Sequence, residues 1–170
     1  VDMGDMDQNE QLPEAVIAHH GSVDLVFNNA GVTVGSTFEG MSETDWDWVM
    51  NINLNGVVKS SRAFLPYLKD RPEAVLVNTS SIFGMIAVAG QSVYHATKFG
   101  VRGFTESLAK EFKDSPIQFT ACTLVTWVLT SSLTQGSTKM MPQGLVPILT
   151  ETKWQKCSGQ KGCIQAGLQK

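Results

Sequence analysis

The run Tyr94-His95-Ala96-Thr97-Lys98 sets a phenol and an ammonium four residues apart, and Ser81 precedes them in Asn78-Thr79-Ser80-Ser81. On a helix, residues at i and i+4 stand on one face, so the ammonium would favour the phenolate and draw a weak acid toward working pH. A hydroxyl beside them would orient a substrate oxygen and stabilise charge developing on it. The three groups together suit proton-coupled chemistry on a carbonyl or an alcohol. A lone Tyr-x-x-x-Lys pair recurs by chance on exposed helices, so the elements that position it must carry the reading.

Those elements alternate. Residues 9–20 carry Leu12, Val16 and Ile17 at helical spacing, with Gly21 as the stop. Val23-Asp24-Leu25-Val26-Phe27-Asn28 follows as a short apolar strand, the form of a buried parallel strand, and it ends in Asn29-Ala30-Gly31. Ser42-x-x-Asp45 is a cap signal for one long helix running to Leu68, and Pro72 closes that unit. A second strand, residues 74–79, delivers Ser80 and Ser81. It leads through a loop containing Gly84 to a helix over residues 92–113, with Val101, Phe104, Leu108 and Phe112 on its apolar side. A third strand begins near Ile117. The order αβαβαβ predicts an α/β fold with a parallel sheet and helices on both faces. The carboxyl ends of such strands are where open sheets place ligands, so the two strand ends are expected to face one crevice.

With these motifs in order, the chain resembles the short-chain dehydrogenase/reductase (SDR) family from about Val1 to about Thr130. Asn28-Asn29-Ala30-Gly31 matches the family's motif at the end of its fourth strand, and Asn53 in Asn51-Ile52-Asn53-Leu54-Asn55-Gly56 matches its active-site helix asparagine. Ser81, Tyr94 and Lys98 complete the family tetrad. Val1-Asp2-Met3 is similar to the end of the third strand, whose aspartate touches the adenine region of the cofactor.

The resemblance implies a Rossmann-like, doubly wound parallel sheet and an oxidoreductase that passes hydride between NAD or NADP and a secondary alcohol or ketone. By the same resemblance Tyr94 is the acid/base, Lys98 lowers its pKa and binds the nicotinamide ribose, and Ser81 orients the substrate oxygen. Asn53 holds a relay water, and Asp2, Asn29, Ala30, Gly31, Tyr94 and Lys98 form the cofactor side. His95 is read as an exposed side chain with no part in the chemistry.

Two departures from the family pattern stand out. The glycine-rich phosphate loop that follows the family's first strand does not occur in these 170 residues. Such a loop holds a pyrophosphate through backbone N–H groups and a helix end, so its absence predicts weak cofactor affinity for this chain. Also, no Pro-Gly pair follows Ile117. Val125 and Thr126 stand there and would crowd a nicotinamide, while Thr130 aligns with a later family threonine. The expectation is an N-terminally truncated, incomplete dinucleotide-binding domain over residues 1–150, with the Leu25 to Asn28 strand left as an edge, and an atypical or disordered tail over residues 151–170. Residues 136–149 correspond to part of the family's substrate lid, where Met140, Met141 and Leu145 could cover a substrate, but ordinary loop packing is the favoured reading of them.

Composition excludes several other classes. The 13 basic and 16 acidic residues give a net charge of −3, and no Lys/Arg cluster marks a nucleic-acid partner. No apolar run approaches the roughly 18 residues of a membrane span. Cys122, Cys157 and Cys163 are sparse, and their spacing matches no zinc pattern, so no metal is expected and a reducing, cytoplasmic setting is. The expected partner is a small alcohol or carbonyl substrate, with homo-oligomer contacts through the helices over residues 42–68 and 92–113. The alternative function is a catalytically inactive remnant or association module that uses those same helices.

Overall fold

A computed structural model describes residues 1–124 of the chain. The readings of Val125, Thr126, Thr130, Met140, Met141, Leu145, Cys157, Cys163 and the 151–170 tail lie outside the described residues.

The first helix, α1 (Met6–His20), starts three residues earlier than its apolar spacing predicts. Asp5 supplies the reason: its carboxylate accepts the N–H groups of Asp7 and Gln8, and Gln8 reaches back to it at 2.7 Å. This reciprocal cap satisfies donors that a helix end otherwise leaves open. Gly21, at φ 79°, ends the helix as expected. Val1 to Asp5 form a turn rather than the end of a strand. Asp2 there accepts the N–H of Gly4 at 2.8 Å, which bends the backbone away from an extended path.

Strand β1 (Leu25–Asn28) pairs in parallel with β2 (Ala74–Ser81), and β2 pairs with β3 (Ile117–Leu124). The sheet order is β1-β2-β3, so β1 is an edge among the described residues. Between β1 and β2 the chain forms α2 (Glu43–Met50), a π-helical turn (Asn51–Asn55) and α3 (Gly56–Lys69) without a break. Ser42 caps α2 through Asp45, as its spacing predicts. The wide turn was not legible in that spacing; at its end the Gly56 N–H reaches back five residues to the Asn51 carbonyl. After β2 come a short 3₁₀ turn (Ile82–Gly84) and α4 (Ser92–Glu111).

Strand alternation shows where the helices sit. Val26, Asn28, Ala74, Leu76 and Asn78 are fully or nearly fully buried on one face, against Phe64 and Leu68 of α3 and Val16 of α1. Asn78 also reaches Thr105 of α4 on that face. Both crossovers step in the same direction along the sheet, and right-handed connections of that kind put their helices on a common side. Among the described residues the helices therefore occupy one face, and no described helix covers Leu25, Phe27, Val75 and Val77 on the other.

A polar chain runs through this apolar layer. Ser60 donates to Asn28 at 2.7 Å, Asn28 donates to Asn78 at 2.8 Å, and Asn78 donates to Thr105 at 2.9 Å. Thr105 in turn donates to the Val101 carbonyl. Asn28 and Asn78 are register partners across the two strands. A slip by one residue would part the two amides and set one of them against Val77 or Phe27, so the pair fixes the register as well as the helix positions. Asn78→Ala would take one hydrogen bond each from buried Asn28 and Thr105, which keep Ser61 and the Val101 carbonyl, and the expected loss is about 1–3 kcal/mol in urea unfolding. Ser107→Ala on the exposed side of α4 should stay within about 0.5 kcal/mol of the parent.

Candidate active site

The carboxyl ends of β1 and β2 converge with the first two turns of α4. Lys98 is 3% exposed, and its Nζ donates to the Thr79 carbonyl at 2.9 Å. The same Nζ stands 5.6 Å from the centroid of the Tyr94 ring. Among the described residues no carboxylate pairs with it. Burial without a counter-charge disfavours the ammonium and lowers its pKa to about 8.

Tyr94 behaves differently from expectation. Its phenol was expected to be lowered by the ammonium, whereas burial raises it and the neighbouring Ser81 hydroxyl lowers it only in part. The cause is geometric. Lys98 turns its Nζ to Thr79 and lies over the ring, where a cation–π contact stabilises the ammonium rather than a phenolate. The site thus keeps Tyr94 protonated and ready to donate.

Ser81 is 2% exposed and caps the 3₁₀ turn by accepting the Phe83 N–H at 3.2 Å. Asn53 sits in the π turn, fully buried. Its amide grips the backbone of Val32 from both sides, accepting the N–H and donating to the carbonyl, each at 2.8 Å, and it also reaches Thr97 at 3.3 Å. The side chain expected to hold a relay water is therefore engaged in holding the loop after β1 against α4. Asn29 accepts the Thr79 hydroxyl at 2.9 Å, which fastens the ends of β1 and β2 together. Gly31 lies beside the cluster: a Cβ there would stand 3.4 Å from Lys98 Nζ and 3.6 Å from Asn53 Oδ1. Ala30, half-buried, connects the two. Asp2 is not drawn into the cluster, being exposed and engaged with Gly4.

This arrangement brings Asn53, Ser81, Tyr94 and Lys98 to one end of the strands. The family model for short chain dehydrogenases matches residues 1–139. The chain belongs to the short-chain dehydrogenase family.

Among its relatives, a putative oxidoreductase SadH of Mycobacterium tuberculosis is 44% identical over 98 residues, covering 58% of this chain and 36% of that protein. The 3-oxoacyl-[acyl-carrier-protein] reductase FabG of Thermotoga maritima is 38% identical over 117 residues, covering 69% of this chain and 48% of the reductase. A short-chain dehydrogenase/reductase from Burkholderia phymatum, solved in complex with NAD, superposes with a TM-score of 0.69 at 30% identity, over 74% of this chain and 45% of the other. The chain thus spans less than half the length of these short-chain dehydrogenases.

Three residues around the site escaped the sequence reading. His95 is buried, not exposed: its ring nitrogens meet the Phe83 carbonyl at 2.8 Å and the Val88 N–H at 3.0 Å. Its place one residue after Tyr94 on a half-buried helix face was the available signal. Ser80 donates to the Lys98 carbonyl at 3.0 Å, and strand alternation alone separates its role from that of Ser81. Thr97, fully buried, donates to the Tyr94 carbonyl and receives Asn53.

The Lys98 shift has a sign that can be tested. From pH 8 to 10.5 the unfolded lysine holds a proton that the folded one has lost, so stability rises with pH across that window. Below pH 8 the cost of the buried ammonium is fully present, roughly 3 kcal/mol at the limit of that shift. Above pH 10 Tyr94 acts oppositely, because the unfolded phenol ionises before the folded one. Lys98→Met should remove the rise between pH 8 and 10 in chemical denaturation, while Tyr94→Phe should leave it in place.

Proposed function

We propose that the chain carries the proton-transfer part of a nicotinamide-dependent oxidoreductase site acting on a secondary alcohol or ketone. The observation that supports it best is a protonated, half-buried Tyr94 held by Ser81 beside an unpaired, buried Lys98. The residues present fit an NAD or NADP nicotinamide riboside. Lys98 spends one N–H on Thr79 and has others for ribose hydroxyls, and Gly31 leaves room next to it. When bound, the cofactor supplies or accepts the hydride.

The chain's own residues do the rest. Ser81 directs the substrate oxygen toward Tyr94 and shares its developing charge. Tyr94 donates its proton to that oxygen in reduction and takes it back in oxidation. Lys98 gains a partner as the phenol gives up its proton, since charge then appears on an oxygen near a cation that no carboxylate among the described residues neutralises. Asn29, Ala30 and Gly31 border the cofactor, and Asp2 belongs to its adenine end. The name of the Thermotoga relative, a 3-oxoacyl reductase, is consistent with a ketone substrate. The exposed side of α4, with Phe99 and an open Gly103, is the proposed contact with a second copy.

An inactive remnant is the other reading, and the assembled tetrad disfavours it. Fluorescence titration of the purified chain with NADH and NADPH separates the two. Binding tighter than millimolar, despite the missing phosphate loop, would refute the remnant, and millimolar or absent binding of both would overturn the enzyme reading for this chain. Tyr94→Phe should keep that affinity and lower turnover by about 10²–10⁴-fold in a ketone reduction assay.

A further inference from the structure

Two adjacent residues of β2 hold both ends of Lys98. The Thr79 carbonyl takes its ammonium at 2.9 Å, and the Ser80 hydroxyl donates to its backbone carbonyl at 3.0 Å. The 3₁₀ turn that follows is pressed onto the same spot. A Cβ on Gly84 would stand 2.5 Å from Ser80 Oγ and 2.8 Å from the Lys98 carbonyl oxygen. The latter is helix backbone and cannot swing aside, so only glycine permits the contact.

The far side of the turn is tied to α4 as well. The Val88 N–H donates to His95 Nε2, so the proton of the neutral imidazole sits on Nδ1 and is donated to the Phe83 carbonyl. The His95 ring also lies 4.7 Å from the Phe83 ring, and Phe83 meets Tyr94 edge-on at 6.2 Å. Ser81 receives the Phe83 N–H. Among the described residues, the polar ties of the 82–88 segment to its surroundings thus end on Ser81 of β2 or on His95 in the reactive turn of α4, while Gly84 packs closely on Ser80.

We propose that the segment from Ile82 to Val88 is a splint for the reactive turn of α4, with Ser80, Gly84 and His95 as positioning residues that fix Tyr94 and Lys98 without touching substrate. The physical need is clear from the lysine. An ammonium with a single protein acceptor gains by swinging out to water, and a long flexible stem lets it do so. It stays buried only while β2 and α4 are held at one separation, and the Ser80 bond sets that separation beside the Thr79 acceptor. Gly84 and His95 keep the turn from lifting off. The inference rests on the proposed function only in taking Tyr94 and Lys98 as the reactive groups.

The test follows Lys98 itself. In the full chain with ¹³C-labelled lysine and no nicotinamide, the ε-carbon signal of Lys98 is titrated by NMR, and the parent midpoint is expected at about 8. Ser80→Ala and His95→Ala, which remove contacts without adding volume, should move the midpoint upward toward the ordinary lysine value as the ammonium reaches water. His95→Gln keeps an acceptor for the Val88 N–H and should move it less. Val101→Ala loosens the same helix from a fully buried position away from the turn and should leave the midpoint at the parent value.

Parent-like midpoints in folded Ser80→Ala and His95→Ala would overturn the proposal. An equal shift in Val101→Ala would do so too, by showing that any loosening of α4 frees the lysine. Because no nicotinamide is needed, a negative result leaves the proposed function standing, and a failure to bind NADH leaves this titration readable.

Discussion

A positive charge buried, among the described residues, with one carbonyl for company governs the arrangement around it. Lys98 would be more stable in water, and no carboxylate among the described residues compensates for its removal from solvent. The structure answers with constraint rather than charge. Thr79 is placed by the β2 ladder and by Asn29, and α4 is placed by Ser80, Thr97 and Asn78. Each of these bonds is modest by itself, about 1 kcal/mol net, but together they leave the ammonium little freedom to leave. Strain of this kind is usual where a group must be available for chemistry rather than satisfied at rest.

The polar layer beneath the site has a second effect. Apolar contacts among Val26, Phe64, Leu68 and Leu76 supply most of the driving force for packing α3 on the sheet, yet such contacts tolerate small shifts. Hydrogen bonds do not. The Ser60, Asn28, Asn78 and Thr105 chain therefore fixes the positions of α3 and α4 relative to the strand ends, and the side chains of the candidate site inherit that geometry.

Much of this was readable from the residues. Short apolar runs bounded by polar ends gave β1 and β2 because buried parallel strands have no polar face, and the 3/4 spacing of Val101, Phe104 and Leu108 gave α4. Asn53 and Tyr94 with Lys98 stand on helical segments and Ser81 at a strand end, the element types their motifs predict. What the sequence concealed was direction and environment. Ser80 and Ser81 are chemically identical, and only the pleat decides which one meets a backbone carbonyl and which one meets a phenol. His95 looked solvent-facing because its partners are backbone groups, which have no sequence signature. The sign of the Tyr94 shift depended on where Lys98 points, and spacing along a helix fixes proximity but not the aim of a four-carbon stem.

The π turn at Asn51–Asn55 has a consequence for how this helix can vary. The wide turn absorbs one surplus residue, so everything after it is set back by about 100° of helical phase relative to a regular helix of the same residues. Ser60, Ser61, Phe64 and Leu68 face the sheet with that offset already made. Winding the same residues as a regular helix would rotate the whole inner side of α3 off the core, whereas removing a single residue from the turn would take out the bulge and leave that side facing the sheet. Asn53 therefore sits at a phase joint, where the amide that steadies the loop after β1 also marks the point at which the helix is re-aimed.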